Sequence, residues 1–568
     1  MKHLPEFLEA RQYTDLRDYM LSIEEKYSER NAFVIKHKVK KEVSYEYITY
    51  KKFKENAIAL AAYLNHHGFS KKRIAIIGIN SYPWIVSHMA VVGGVGVSVP
   101  LDKDLTFDEL ESSLERSEVE AIIYDKKHAA NIEQIKENNK TQLTAYFEME
   151  KLQEYIAEGE KLIAEGDTSY FDHEIDPKAM SIMLFTSGTT SQSKIVMLSQ
   201  ENITSNIYAL NRSIDIKPED TNMAFLPYHH TFGSTGQLVM LSYGTCTAYC
   251  DGLKYLQKNL VEYQISVFIC VPLLVEGIYK KVMAAVKKQG KENLVNNMGK
   301  VCDFLQKFGI NIRRKVFKSV LDQLGGKIRL VIVGASAIDK EALAGFQRLG
   351  VTTLQGYGLT ETSPVLVAEC TKTLRTGSVG HPICNVDVKI DNPNEEGIGE
   401  ILAKGPNIML GYYKNDEENK KVFTEDGWFR TGDLGKFDKD DYLFICGREK
   451  NVIVLKNGKN VYPEEIESLI AALPYVEENM VFGAERKNDN ADLTISAKIV
   501  YNKEYVKEHF GDLSEEELEK IIKKDIDAIN DQMPVYKHIK RLYITDVPAI
   551  KTSTAKIKRH EEIKTITD

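Results

Sequence analysis

The stretch IRLVIVGASAIDKEALAGFQRLGVTTLQGYGLTETSP, residues 328–364, reads as strand, helix, strand and loop. IRLVIVGAS is a short apolar run, and IDKEALAGFQRLG has helical spacing and stops at a glycine. Two strands joined through a helix lie parallel in one sheet. LQGYGLTETSP (354–364) therefore stands at the carboxyl end of a strand, where α/β folds bind ligands.

The same texture recurs outward from this unit. RIAIIGIN (73–80), VEAIIYD (119–125), SIMLFTSG (181–188) and SVFICVP (266–272) read as buried strands, and TYKKFKENAIALAAYLNHHG as an amphipathic helix. Such alternation predicts an α/β fold of mostly parallel sheets flanked by helices. After about residue 385 the turn-rich segments DNPNEEGIG, EDGW and KDDY predict a β-rich subdomain. From about residue 448, NVIVLKNGKNVYPEEIESLIAALPYV reads as strand, Asn-Gly turn, strand and helix, with Pro463, Glu464 and Glu465 in the helix's first turn. The strand ADLTISAKIVY and the helix SEEELEKIIKKDIDAIN complete that unit. The expected organisation is a large N-terminal domain, 1–447, and a small mobile α+β C-terminal domain, 448–568.

A chain of 568 residues is too long for one core. The net charge of -8, with both signs dispersed, offers no broad basic surface for nucleic acid. Seven cysteines (246, 250, 270, 302, 370, 384 and 446) form no C-x-x-C pair and read as free thiols. MAVVGGVGVSVPL (89–101) is too short and too glycine-rich to span a bilayer, so a cytoplasmic protein is expected. Without a strongly amphipathic basic helix, membrane contact is expected to be peripheral at most.

LFTSGTTSQSKIVML (184–198) sets hydroxyl residues, one glycine and a lysine after a strand, a chemistry suited to phosphate. Gly188 and Lys194 keep the Walker spacing, but Ser193 replaces its second glycine and Ile195 its magnesium-binding hydroxyl, so an ordinary P-loop is not expected. In LQGYGLTETSP, Glu361 could hold Mg²⁺, Thr360 touch phosphate and Tyr357 stack on a base, while two glycines allow close approach. Asp433 in GWFRTGDLG (427–435) could accept from two vicinal hydroxyls. Arg448 and Lys450 mark the domain boundary, and Lys556 follows Ala555 in VPAIKTSTAKIKRHE (547–561). LPYHHTFG (226–233) supplies two histidines without further zinc ligands in its neighbourhood, and they read as core or pocket-lining residues.

In their order and spacing these segments resemble the adenylate-forming superfamily of acyl-CoA synthetases, luciferases and nonribosomal peptide adenylation domains. The resemblance makes Thr186, Ser187, Gly188, Thr189, Thr190 and Lys194 a loop handling the β- and γ-phosphates of ATP, though Ser191, Ser193 and Ile195 depart from its usual glycines and proline. It assigns Thr360 to phosphate, Glu361 to Mg²⁺, Tyr357 to adenine, and Asp433 with Arg448 to the ribose. Gly334 and Gly358 fall among the nucleotide-binding residues. Lys450 becomes the pivot of the C-terminal domain, Lys556 the lysine entering the site for the first half-reaction, His230 a gate near the carboxylate and pantetheine channel, and Gly458 a residue beside the thiol-bearing arm. Ala555 stands where the family has glycine.

The implied reaction is attack of a carboxylate on MgATP, giving acyl-AMP and pyrophosphate, followed by displacement of AMP by the thiol of CoA. VFICVPLLVEGIYKKV (267–282) and the basic helical insert from about 283 to 320 resemble long-chain fatty acyl-CoA synthetases, implying a medium- to long-chain fatty acid. Two alternatives remain: a ligase loading a separate carrier protein, and a non-catalytic nucleotide or acyl-AMP sensor.

Overall fold

The computed structural model describes residues 8–186, 193–288, 290, 292–336, 338–456, 459–486, 489–551 and 557–567. The opening segment folds as its spacing predicts. Leu330–Val333 is followed by the helix Lys340–Arg348, whose N-cap Asp339 accepts from Ala342 N, and by the strand Thr352–Gly358. The two strands pair in parallel, Leu330 opposite Thr352 and Val333 opposite Gln355.

Among the described residues that pair belongs to a nine-stranded sheet. Its central strands Leu330–Val333, Val267–Cys270, Thr221–Ala224 and Cys246–Tyr249 run parallel, and its margins are antiparallel. A seven-stranded sheet has parallel neighbours Met180–Thr186, Val97–Leu101, Arg73–Ile77, Ala121–Tyr124 and Ala145–Glu148. Its other margin is the antiparallel strand Lys194–Ser199 followed by Gly411–Tyr412. The expected α/β class and mostly parallel sheets are observed.

The helix Tyr50–His66 shows how sequence becomes packing. Thr49 caps it by accepting from Lys52 N at 3.1 Å, and Phe53, Ala57, Leu60 and Leu64 bury one face. Each large side chain removed from water contributes roughly 1.5–3 kcal/mol. The helix Leu152–Ala164 approaches so closely that a Cβ at Gly159 would lie 1.9 Å from the Ala59 carbonyl oxygen. Any larger residue there must separate the two helices.

Residues beyond 385 form the expected β-rich part, an antiparallel sheet of Asp387–Asp391, Gly399–Lys404, Phe429–Phe437 and Leu443–Arg448. The C-terminal unit has its own core, in which Ile466 and Ile470 of the helix Pro463–Ala471 and Ile522 and Ile526 of Glu515–Asn530 cover Ile495, Ala497 and Ile499 of Asp489–Tyr501. Ser514 and Glu517 close a capping box at the start of Glu515–Asn530.

The antiparallel pair Asn31–Val39 and Glu42–Thr49 is a structural addition to the segments read from the sequence. Glu42–Thr49 lies at the sheet margin, where Val43, Tyr45 and Tyr47 alternate with Glu42, Ser44 and Glu46 as in a half-buried strand yet stay exposed. No helix among the described residues is long and apolar enough to cross a membrane.

Candidate active site

Strand ends and connecting loops of both large sheets meet the C-terminal unit around a cleft of about 4630 Å³. That is several times the roughly 300–1,000 Å³ of a pocket for one small molecule. Thr186, Lys194, His230, Gly334, Tyr357, Gly358, Thr360, Glu361, Asp433, Arg448 and Lys450 all line it. Ser187, Gly188, Thr189, Thr190, Gly458, Ala555 and Lys556 lie outside the described residues.

Asp433 is the polar anchor of the cleft. Its carboxylate is 5 % exposed, accepts from the Tyr357 hydroxyl at 2.8 Å and pairs with Arg448 Nε at 2.9 Å. The sheet sets this geometry, since Asp433 and Arg448 face one another in the antiparallel ladder and Tyr357 enters from the nine-stranded sheet. Burial, then the Asp433 charge, pushes the Tyr357 hydroxyl well above the usual phenol range, so it stays a donor.

Glu361 lies in a short 3-10 turn, Thr360–Thr362. Its Oε1 accepts from the Tyr412 hydroxyl at 2.8 Å, and burial followed by the Glu361 charge raises the Tyr412 pKa. Lys194 sits 4.8 Å over the Tyr412 ring and is ion-paired with Glu418, whose pKa it lowers. The proposed phosphate lysine and magnesium carboxylate are thus joined through one tyrosine, and Tyr412 and Glu418 are two site residues that the sequence reading missed. Their partners are remote in sequence, which is why no local motif marks them.

The loop between Thr186 and Lys194 joins two antiparallel strands, with those residues paired across the ladder. A Walker loop instead joins a strand to a helix, so the architecture agrees with the expectation against an ordinary P-loop. Arg116 Nη2 donates to the Ser193 carbonyl at 2.5 Å, holding the loop's exit.

The end of the LQGYGLTETSP segment is pinned by buried asparagines. Asn407 Nδ2 donates to the Thr362 and Val365 carbonyls at 3.0 and 2.9 Å, and Asn206 Nδ2 donates to Val365 at 2.8 Å. The two glycines differ in purpose. A Cβ on Gly358 would lie 1.8 Å from the Pro364 carbonyl oxygen, so its smallness serves the protein's own turn, whereas a Cβ on Gly356 meets nothing nearer than 3.7 Å. A Cβ on Gly334 would approach the Phe232 ring at 3.0 Å.

Two further groups line the cleft. Glu369, 1 % exposed, accepts from Gln355 N at 2.9 Å and Arg375 N at 3.1 Å, and burial pushes its carboxyl up to about 7. His230 occupies the N-cap position of the helix Thr231–Ser242 without a side-chain capping bond and touches His229, which in turn faces Asp102 at the end of the strand Val97–Leu101. Asp102, distant in sequence, thus joins the two histidines of LPYHHTFG as a third side chain of metal-ligating type.

The inner wall is apolar, with Phe232, Val239, Met240, Ile269, Leu274 and Met283 among its residues. Polar anchors and an apolar stretch of lining in one cleft suit a ligand with an anionic head and a hydrocarbon body. Glu361 supplies an oxygen donor of the kind Mg²⁺ takes.

Comparison with known proteins gives a family match over most of the chain. Residues 24–413 match the AMP-binding enzyme model, and residues 450–566 match the AMP-binding enzyme C-terminal domain. Long-chain-fatty-acid–CoA ligase 5 of Rattus norvegicus is 27% identical over 92% of this chain and 83% of its own. A chloroplastic long-chain-fatty-acid–[acyl-carrier-protein] ligase of Arabidopsis thaliana is 26% identical over 84% of this chain and 76% of its own. The solved structure of ATP-bound MatB from Rhodopseudomonas palustris superposes with a TM-score of 0.75 at 23% identity, covering 98% of this chain and 99% of that one, and supports the fold.

Proposed function

The chain belongs to the AMP-binding enzyme family, and from that premise we propose that it is an ATP-dependent acid–thiol ligase acting on a medium- to long-chain fatty acid, with CoA as acceptor. The observation that carries the reading is the Tyr357–Asp433–Arg448 cluster beside Glu361 in a cleft with an apolar inner wall. The similarity to long-chain-fatty-acid–CoA ligases over most of their length supports the choice of substrate.

In this reading the carboxylate of Asp433 accepts from the ribose hydroxyls, with Arg448 and the Tyr357 hydroxyl fixing its orientation. Glu361 would hold Mg²⁺, which when bound neutralises phosphate charge. Lys194 and the hydroxyls of residues 186–190 bind the outer phosphates. A carboxylate oxygen attacks the α-phosphorus of ATP, pyrophosphate leaves, and the acyl-AMP is then opened by the thiol as AMP departs. The protein forms no covalent bond, so rate comes from alignment and from charge placed before the reaction, with Lys556 the principal cation of the first step. The domain boundary is proposed at 447/448, with the C-terminal unit turning about Lys450 so that Lys556 enters for adenylation and withdraws for thiolysis. His230 then borders the path of the thiol, and Gly458 lies beside the passing arm.

A second reading, transfer to a separate carrier protein, is favoured by the similarity to a carrier-protein ligase. Acid-dependent exchange of labelled pyrophosphate into ATP tests the shared first step. Exchange with fatty acids is expected, and absence of exchange with every acid tried contradicts both readings.

A further inference from the structure

The fold brings together three side chains that no sequence motif connects. His229 Nε2 lies 3.1 Å from His230 Nε2 and 3.4 Å from Asp102 Oδ2, and the ligand atoms of all three residues lie within 4.8 Å of one another. We propose that Asp102, His229 and His230 form a binding site for one divalent first-row transition metal, zinc by the character of its donors, within the cleft but separate from the Glu361 position.

The arrangement fits a metal in chemistry and in dimension. An imidazole nitrogen offers either one proton or one lone pair, so His229 Nε2 serves an acidic oxygen and a second ring nitrogen poorly at once. A cation between the three atoms satisfies each of them with a lone pair. Zinc–nitrogen and zinc–oxygen bonds of about 2.0–2.2 Å give tetrahedral edges of about 3.3 Å, close to the observed 3.1 and 3.4 Å. One ligand atom of each residue lies within 4.8 Å of the other two, and side-chain rotation that brings the third pair to the edge length of the other two completes a tetrahedral face.

Two imidazoles and one carboxylate select zinc-like ions over Mg²⁺, which prefers oxygen throughout. Three protein ligands leave a fourth position for water or an anion, and all three residues line the cleft. The positive end of the helix Thr231–Ser242 opposes a cation here, and the Asp102 charge offsets it.

The supporting loops are pinned by hydrogen bonds. Tyr228, 2 % exposed, donates its N–H to Asn80 Oδ1 at 3.0 Å, and Asn80 Nδ2 donates to the Leu226 carbonyl at 2.7 Å, fixing the loop that carries the histidines. On the other side His128 Nε2 meets the Lys103 carbonyl at 2.9 Å while its Nδ1 meets Asp125 Oδ1 at 2.6 Å, fixing the residue after Asp102. His229 itself is 7 % exposed. The site rests on this geometry alone and stands whether or not the fatty acid reading holds.

The test uses the full chain, stripped with chelator and dialysed against Zn²⁺, with bound metal measured by mass spectrometry. One equivalent is expected in the wild type, and at least about tenfold weaker binding in Asp102→Asn and in His229→Gln with unchanged circular dichroism. Because the chain has seven free thiols, X-ray absorption at the zinc edge of the wild type supplies a second readout that needs no variant. Nitrogen and oxygen neighbours at about 2.0–2.2 Å, with imidazole outer-shell scattering, support the site. Sulfur neighbours, binding retained at full strength in both variants, or no stoichiometric binding each overturn it.

Discussion

Replacing Asp433 by asparagine separates the anchor's structural role from its proposed role toward nucleotide. The wild-type carboxylate, 5 % exposed, gives one oxygen to the Tyr357 hydroxyl and the other to Arg448 Nε. An amide of nearly equal volume keeps one acceptor and turns the other into a donor facing an existing donor. A hydrogen bond to a charged group contributes about 1.5–3 kcal/mol, but the Arg448 side chain is 39 % exposed and water replaces part of its lost pairing. The expected loss of stability is therefore about 1 kcal/mol, and the variant remains folded. Toward ATP the loss is less compensated, because the ribose hydroxyls would meet a neutral acceptor in a buried position. At about 1.5–3 kcal/mol the KM for ATP rises roughly 10- to 150-fold. Acid-dependent ATP–pyrophosphate exchange, run with ATP and with 2′-deoxy-ATP, reads this directly. The wild type should discriminate against the deoxynucleotide by about tenfold or more and the variant by much less. A folded Asp433→Asn protein with unchanged KM and undiminished discrimination refutes the assignment of Asp433 to the ribose.

Three further outcomes are expected. Lys556→Ala should slow acyl-AMP formation by about 10²-fold or more while leaving thioester formation from supplied acyl-AMP near wild type, and single-turnover measurements that show equal loss in both steps contradict domain alternation. Gly358→Ala should unfold the turn at Thr360–Thr362, because its Cβ would lie 1.8 Å from the Pro364 oxygen, whereas Gly356→Ala, with 3.7 Å of room, should keep the melting temperature and weaken nucleotide binding. Equal melting behaviour of the two variants would remove that distinction. Burial raises the Glu369 carboxyl from 4.5 to about 7, so between those values the folded protein holds a proton that the unfolded chain has released, and stability falls as pH rises through the window. Urea unfolding should show Glu369→Gln gaining on the wild type by up to about 3 kcal/mol between pH 4.5 and pH 8, and a pH-independent difference would exclude this source.

What the sequence alone discloses follows from the range of the interactions concerned. Apolar runs such as RIAII and LVIV become buried strands because local pattern and tertiary burial agree, and Thr49 and Asp339 stop the chain's extended path through caps that are local in sequence. Glu361, Tyr357 and Asp433 could each be singled out as chemically suited to a nucleotide. Their assembly could not, since it depends on the ladder register that sets Asp433 against Arg448 and on a second sheet that delivers Tyr357. Tyr412 beneath Lys194, Glu418 beside it, and Asp102 against His229 are contacts between distant segments, for which composition and spacing carry no signal. Gly358 adds a requirement that the sequence does not disclose: beside the close approach its segment suggested, a Cβ there would lie 1.8 Å from the Pro364 carbonyl oxygen.

The most direct test of acid activation followed by transfer to CoA is mass spectrometry of the products formed by the purified protein from MgATP, CoA and a graded set of acids from acetate to oleate, with aryl acids included. AMP and an acyl-CoA thioester are expected, with medium- to long-chain acids consumed first. Acyl-AMP without thioester would contradict CoA as the acceptor, and ATP left intact with every acid would contradict acid activation itself.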